Sequence, residues 1–198
     1  MDFTTLLVPT YRNMLRMLLG LLDKAQAQLG AAGAEALLSA RLAPDMYPLA
    51  TQLRFAVMQA LDGARYLRGE PWTGEHDAMI AEARNGREHP GTLAQAAARI
   101  DQALAYLDAL EDGALDVGPE DRPIPLQLPD GRMFDLTAEQ FVRDWALGQF
   151  YFHVMAAYAI LRQDGVEIGK ADYVPHMFAY MRGREPAAEA AGGGGARD

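Results

Sequence analysis

The sequence predicts an all-α protein: a four-helix bundle with a small two-stranded β-hairpin before the last long helix. Four long segments repeat apolar side chains at steps of three and four residues, the spacing of one helical face. Between the third and fourth segments, apolar and polar residues alternate on either side of Pro129, Asp130 and Gly131. Alternation around an Asp-Gly pair is typical of two strands joined by a tight turn. Pro123 and Pro125 cannot donate to a strand ladder, so the sheet is expected to be small.

The first three helices are predicted from their apolar spacing. The first covers about 8–29, with a short helical piece at 34–40, and the third covers about 92–112. The second is expected at about 46–68. Asp45 directly precedes it and is predicted to cap its first turn by accepting a backbone N–H.

Residues 69–91 form a polar, glycine- and proline-rich connection in which a short amphipathic helix is expected at about 76–84. His76 and His89 belong to this polar stretch. Neither residue has an obvious reason to be buried, so both are expected to be exposed.

The last long helix is predicted to extend from Thr137 to Arg162. Thr137 and Gln140 match a capping box, in which each side chain accepts the other's backbone N–H. Apolar residues follow on most sides of the helix, so it is expected to be the central and most buried one. His153 lies in its middle and is the only one of four histidines in a strongly apolar helix.

The C-terminal part divides in two. Residues 166–181 are expected to fold back over the bundle, with a helical turn near 175–181. Residues 183–198 contain a four-glycine run and few apolar side chains, which predicts a disordered tail. Residues 1–182 are therefore expected to form a single domain.

Composition excludes several functions. The formal charge of -9 and the absence of a basic cluster argue against nucleic acid and anionic membrane surfaces as partners. The chain contains no cysteine, which excludes disulfides and thiolate metal sites. With no apolar run of membrane-spanning length and no secretory signal, we expect a soluble cytoplasmic protein.

Two stretches, LLSARLAPDMYPLATQ (37–52) and QFYFHVMAAYAILRQDGVEIGKADY (149–173), carry a family resemblance. They resemble an uncharacterised bacterial and fungal family grouped with the DinB/YfiT-like four-helix bundles, and the resemblance covers about 5–174. It implies a superfamily of divalent-metal proteins, including thiol-dependent transferases and isomerases, many of them dimers. Their metal is usually held by one histidine on the second helix and two on the fourth, commonly four residues apart.

This sequence departs from that metal pattern. The second helix offers only Gln52 and Arg54 in the relevant region, and the residues four before and four after His153 are Gln149 and Ala157. The resemblance therefore supports a divalent metal, zinc or nickel, at His153 alone. His176 is a second candidate ligand if the C-terminal segment covers the mouth of the bundle.

The candidate site residues are those expected to line a pocket in the bundle core: His153, Gln149, Gln52, Tyr158, Asp45 and Arg54. His153 is either a metal ligand or general base, or a buried neutral histidine bonded to Gln52, Asn13 or a tyrosine. Arg54 either binds an anion or lies along the helix surface.

Three functions are consistent with these residues. The first is a small-molecule-binding protein, or a degenerate relative of the metalloenzymes, with a core pocket around His153. The second is a divalent-metal-dependent enzyme of the thiol-dependent transferase or isomerase type. The third is a homo-oligomeric interaction bundle without a site. A homodimer is expected, and the sequence leaves open whether the protein is an enzyme.

Overall fold

The computed structural model describes residues 2–70, 74–128 and 131–182. The elements in chain order are α1 (Phe3–Ala36), α2 (Leu49–Arg68), α3 (Gly74–Arg84), α4 (Leu93–Asp108), β1 (Pro123–Gln127), β2 (Met133–Thr137), α5 (Ala138–Gln140), α6 (Leu147–Gln163) and α7 (Lys170–Tyr173). Pro129 and Asp130 of the predicted turn, and the predicted disordered tail at 183–198, lie outside the described residues. The predicted class, a helical bundle with one small hairpin, is confirmed.

The central helix is α2, which packs against α1, α3, α4 and α6. The prediction that the last long helix is the most buried is wrong. On α6, the side chains of Tyr151, Phe152 and Met155 are 39%, 56% and 48% exposed. Apolar composition on most sides of a helix does not distinguish a face inside the core from an apolar face open to solvent.

The first helix is longer than predicted at both ends. It begins at Phe3, and it continues past Gly30, whose non-helical backbone (φ 70°, ψ 172°) kinks it. Asp116 fastens its start, because its carboxylate accepts from the Phe3 N–H (2.7 Å) and from the Thr4 N–H (3.2 Å). The Thr4 hydroxyl also donates to Asp116 (2.5 Å) and accepts from the N–H of Leu115 (2.9 Å).

The start of α2 differs from the prediction that Asp45 caps it. Asp45 is exposed in a preceding turn, Pro48 occupies the N-cap, and the Leu49 N–H donates to the Ala40 carbonyl (2.9 Å). The reason is steric: a proline disfavours helical backbone angles at the residue before it, here Tyr47. The helix therefore cannot begin earlier.

The hairpin pairs β1 with β2 in antiparallel register, from Pro123 opposite Thr137 to Gln127 opposite Met133. β1 buries Ile124 and Leu126 and exposes the alternate residues Pro123, Pro125 and Gln127. The capping box is confirmed: the Thr137 N–H donates to Gln140 Oε1 (2.9 Å), and the Gln140 N–H donates to Thr137 Oγ1 (3.1 Å). Between α5 and α6, a π-helical segment spans Phe141–Ala146, which the sequence did not predict.

The short helix predicted at about 76–84 in the polar connection is confirmed as α3. α3 packs along α2 and is followed by a 3₁₀ turn at Asn85–Arg87. Further along the chain, α7 contacts α1, and the Lys24 ammonium donates to Asp172. A further 3₁₀ turn, Pro175–Tyr180, lies close to the end of the described residues at 182. Within the three described ranges, no helix is long and apolar enough to span a membrane.

Candidate functional site

A cavity of about 250 Å³ lies between α2, α3, α6 and the hairpin. Its walls are mainly aromatic and aliphatic, and a few polar side chains converge on it. The lining residues are Tyr47, Phe55, Met58, Gln59, Asp62, Tyr66, His76, Ile80, Arg84, Leu126, Gln127, Leu128, Trp145, Gln149 and His153.

Helical spacing brings these side chains to one place. On α2 the lining residues Phe55, Gln59, Asp62 and Tyr66 follow at steps of four, three and four, which is one helical face. Trp145, in the π-helical segment, is followed at steps of four by Gln149 and His153 on α6. The two helices are antiparallel, because Gln52 contacts His153 whereas Tyr66 lies 5.2 Å from the Phe141 ring, centroid to centroid.

His153 is 8% exposed and is held from one side of its ring. Its Nδ1 atom lies 2.8 Å from Gln52 Oε1, and Gln52 Nε2 donates to the Tyr47 carbonyl (3.2 Å). Because the amide oxygen can only accept, Nδ1 carries the proton and Nε2 keeps a lone pair. Burial lowers the pKa of His153 to about 4, so the imidazole is neutral near pH 7.

Two aromatic rings fix the orientation of the His153 imidazole. The Phe55 ring stacks on it at 5.0 Å between centroids, with an interplanar angle of 24°. The Phe152 ring meets it edge-on at 5.2 Å. The ring is therefore fixed by packing and by a hydrogen bond, as a side chain that binds a ligand needs to be.

A second polar pair lies in the cavity wall and was missed by the sequence analysis. His76 Nε2 is 2.8 Å from an Asp62 carboxylate oxygen, and both side chains are buried. The expectation that His76 is exposed is wrong, because His76, Ile80 and Ala83 form the face of α3 that packs on the bundle. The signal available in the sequence was Asp62, a carboxylate on the buried face of α2.

A larger cleft of about 710 Å³ adjoins the cavity between α3 and the hairpin. The two spaces have five lining residues in common: Tyr66, Ile80, Arg84, Gln127 and Leu128. The cavity is therefore the inner end of a groove whose outer part is bounded by Asp77, Ala81, Pro125 and Met133.

The profile of a family described as a domain of unknown function matches residues 3–174. The chain belongs to the DUF1993 family. This confirms the predicted resemblance to an uncharacterised DinB-like family.

The DUF1993 domain is also similar to a solved structure, the crystal structure of a DinB family member protein from Shewanella denitrificans. The two chains are 29% identical and superimpose with a TM-score of 0.69, covering 87% of this chain and 91% of that chain. No curated protein matches the chain at a significant level.

The structure brings together half of the predicted site residues of the DUF1993 domain. His153 and Gln149 line the cavity. Gln52 is not a lining residue, but its side-chain oxygen accepts a hydrogen bond from His153 Nδ1. Tyr158 lies elsewhere, edge-on to Tyr173 at 5.4 Å between ring centroids. Asp45 is exposed in the turn before α2.

Arg54 also lies outside the cavity, in a structural role. Its guanidinium donates to the backbone carbonyls of Glu82 (2.9 Å), His89 (2.9 Å) and Pro90 (3.0 Å). These bonds fasten the end of α3 and the segment after it to α2. The prediction that Arg54 lines the pocket is corrected accordingly.

The residues of the described chain do not fit the metal site that the superfamily implies. No group of three or more histidine and carboxylate side chains within it could hold an ion. Asp62 and His76 contact each other, and His176 lies in the 3₁₀ turn after α7 rather than in the cavity lining. A site for zinc needs three protein ligands, and His153 is a single donor.

Proposed function

We propose that this DUF1993 domain is a small-molecule-binding protein whose ligand occupies the cavity between α2, α3, α6 and the hairpin. One observation carries the proposal: the cavity is lined by a histidine whose Nδ1–H is already bonded to Gln52 (2.8 Å). The remaining ring nitrogen, Nε2, is then an acceptor held at the edge of an apolar space.

The walls of the cavity support this proposal. Apolar and aromatic walls with a few convergent polar groups are the usual composition of a ligand site. Phe55, Met58 and Trp145 provide apolar surface, and Gln59 and Gln149 provide amide groups. Because neutral His153 accepts through Nε2, the ligand that fits has an apolar body with a hydroxyl or N–H group.

The cavity contains polar groups at two levels of α2. Gln52, which bonds to His153, and Asp62, which bonds to His76, are ten residues apart, about 15 Å along a helix. The groove therefore has a neutral acceptor at one end and a carboxylate–histidine pair at the other.

The test uses 4-(2-hydroxyethyl)phenol, a flat body with hydroxyl donors, titrated into ¹⁵N-labelled protein. We expect saturable shifts at the amides of Phe55, Gln149 and His153, and weaker binding to His153→Phe, which keeps a ring but loses the acceptor. His89→Gln, a substitution at an exposed histidine, is the matched control and should bind as the unsubstituted chain does. A long-range ¹H–¹⁵N spectrum checks that Nδ1 carries the proton.

Two results would contradict the proposal. One is a titration in which the cavity amides do not shift or do not saturate. The other is equal affinity in His153→Phe and the unsubstituted chain. Gln149→Leu, which changes a partly exposed wall residue, provides a second test should His153→Phe fail to fold.

A second candidate function, self-association, is favoured by one observation. Tyr151, Phe152 and Met155 form an apolar strip on the solvent side of α6. Exposed apolar faces of this kind often mark protein contacts, and a second copy of the chain would cover the strip. This proposal concerns assembly and is independent of the cavity.

A further inference from the structure

We propose that the ligand of the cavity is an organic acid, with its aromatic body in the inner cavity and its carboxylate paired with Arg84. The inference rests on the proposed function and specifies the class of ligand. It follows from where α3 places Arg84 relative to His153 and to the carboxylates of the groove.

The contacts between α2 and α3 show that the two helices are antiparallel. Asp62 contacts His76, Arg54 donates to the Glu82 carbonyl, and a Cβ at Gly86 would lie 3.2 Å from the Thr51 nitrogen. Higher numbers on α3 therefore lie beside lower numbers on α2. Arg84, between Glu82 and Gly86, is at the level of residues 51–54, which is the end of the cavity where Gln52 holds His153.

Arg84 is available to a ligand. It lines both the inner cavity and the outer cleft, and its side chain is exposed. Among the described residues its guanidinium makes no ion pair or hydrogen bond. By contrast, the nearby Arg54 and Arg99 both pair with Glu82. A guanidinium presents parallel N–H groups that match the two oxygens of a carboxylate.

The carboxylates of the groove lie at its other end. Asp62 and Asp77 line it, and Asp77 follows His76, which contacts Asp62. Asp77 is seven residues from Arg84, about 10 Å along α3. An anion is therefore attracted to the Arg84 end and repelled from the opposite end, although the chain as a whole is acidic.

His153 contributes a different interaction at the same end. Its neutral ring cannot donate from Nε2 to a carboxylate, so it pairs instead with a hydroxyl or N–H on the body of the ligand. The class that satisfies both side chains is an aryl or arylalkyl carboxylate with a ring hydroxyl or amino group. Phe55, Tyr47 and Trp145 supply the aromatic walls for that ring.

Three probes of matched shape test whether a negative charge on the ligand strengthens binding. They are 4-hydroxyphenylacetate, 4-(2-hydroxyethyl)phenol and tyramine, which carry an acid, an alcohol and an amine on the same phenol. Each is titrated by NMR into the unsubstituted chain, Arg84→Gln and Arg162→Gln. Arg162 is an exposed arginine of α6 outside the groove, so its substitution removes the same charge elsewhere.

We expect the acid to bind about fivefold or more tightly than the alcohol, the alcohol to bind more tightly than the amine, and added salt to reduce both differences. Arg84→Gln should remove the preference for the acid, and Arg162→Gln should retain it. The inference is overturned if the acid binds no more tightly than the alcohol, or if it still binds more tightly than the alcohol in Arg84→Gln. If the alcohol still binds in a His153-dependent way, the proposed function stands and only the ligand class fails. Absence of binding by all three probes contradicts both.

Discussion

The Nε2 atom of His76 lies 2.8 Å from the Asp62 carboxylate, and this contact joins α3 to α2 inside the protein. Replacing His76 leaves the Asp62 carboxylate buried without this contact, which costs more than replacing both side chains by apolar groups. We predict that His76→Leu lowers the free energy of unfolding by about 2–4 kcal/mol. The double variant His76→Leu/Asp62→Leu should recover part of that loss.

Urea unfolding of the two single variants and the double variant gives the coupling energy between these side chains. A coupling below about 0.5 kcal/mol, the usual error of additivity, would show that the contact contributes little to the docking of α3.

Gly63 leaves space for the ring of Tyr11. A Cβ at position 63 would overlap the Tyr11 hydroxyl oxygen and lie 2.9 Å from the ring carbon Cζ. Because Tyr11 is fully buried, the ring has little room to move, and we predict that Gly63→Ala destabilises by about 2–3 kcal/mol. Thermal unfolding followed by circular dichroism measures the effect.

The matched control is Gly20→Ala on α1, where a Cβ would meet no atom within 4 Å in the described part of the chain. This variant should gain about 0.5–1 kcal/mol from helix propensity. Tyr11→Phe should rescue Gly63→Ala in part, since it removes the overlapping hydroxyl. Equal stability of both glycine variants would argue against the close approach.

The burial of His153 predicts a pH dependence of stability. Its pKa falls from 6.5 to about 4 because burial disfavours the charged ring. Between these values the unfolded chain binds the proton and the folded chain does not, so stability falls as the pH is lowered. The loss is absent above about pH 6.5, grows as the pH falls, and reaches about 3 kcal/mol at most by pH 4.

The measurement compares the pH slope of the unfolding free energy in the unsubstituted chain, His153→Phe and His89→Gln. Slopes are compared because His153→Phe also leaves the Gln52 amide oxygen without its hydrogen bond from His153, and this changes the absolute stability. His89→Gln should keep the original slope, whereas His153→Phe should flatten it. An unchanged slope in His153→Phe would mean that the ring is protonated inside the folded protein.

The lowered pKa of Asp116 predicts a second pH dependence of stability, at more acidic pH. Partial burial works to raise its pKa, but hydrogen bonds from the Thr4 hydroxyl and from the Phe3 and Thr4 N–H groups outweigh it, so the pKa lies below its usual value. Its contribution is present above the unfolded pKa of about 4 and is lost as the pH falls below that value. Asp116→Asn should cost about 1 kcal/mol near pH 7, as for other partly exposed helix caps, and less near pH 3. Urea unfolding at both pH values checks this, and a cost that does not change with pH would contradict it.

The apolar strip on α6 predicts concentration-dependent association. We expect sedimentation velocity to show a dimer that Met155→Lys disrupts, because a charge in the centre of the strip opposes its burial. Met177→Lys is the control, since Met177 is similarly exposed on the turn Pro175–Tyr180. A chain that stays monomeric throughout the micromolar range would remove the case for this surface.

Local patterns in the sequence predicted much of the fold. The Thr137–Gln140 capping box and the hairpin are confirmed because each depends on residues close together in the chain. The start of α2 was misplaced because Asp45 resembles a cap, whereas Pro48 restricts the backbone before it.

The site was predicted less completely because its partners come from distant segments. His153 and Gln52 are 101 residues apart, and their hydrogen bond was one of several partnerships considered. The Asp62–His76 pair depends on how α3 docks against α2, and a polar stretch with a short amphipathic helix does not show which of its polar side chains is buried. Arg54 was misassigned because an arginine next to a buried stripe can bind backbone carbonyls as readily as an anion.

The π-helical segment Phe141–Ala146 has a consequence for comparing relatives. A π turn holds about one residue more than an α turn, so a homologue with a regular helix there would be one residue shorter between the hairpin and α6. An alignment drawn without a gap at 141–146 would displace every later position by one residue, about 100° around the helix. His153 would then be matched to a side chain on a different face, and conservation at this position would be underestimated.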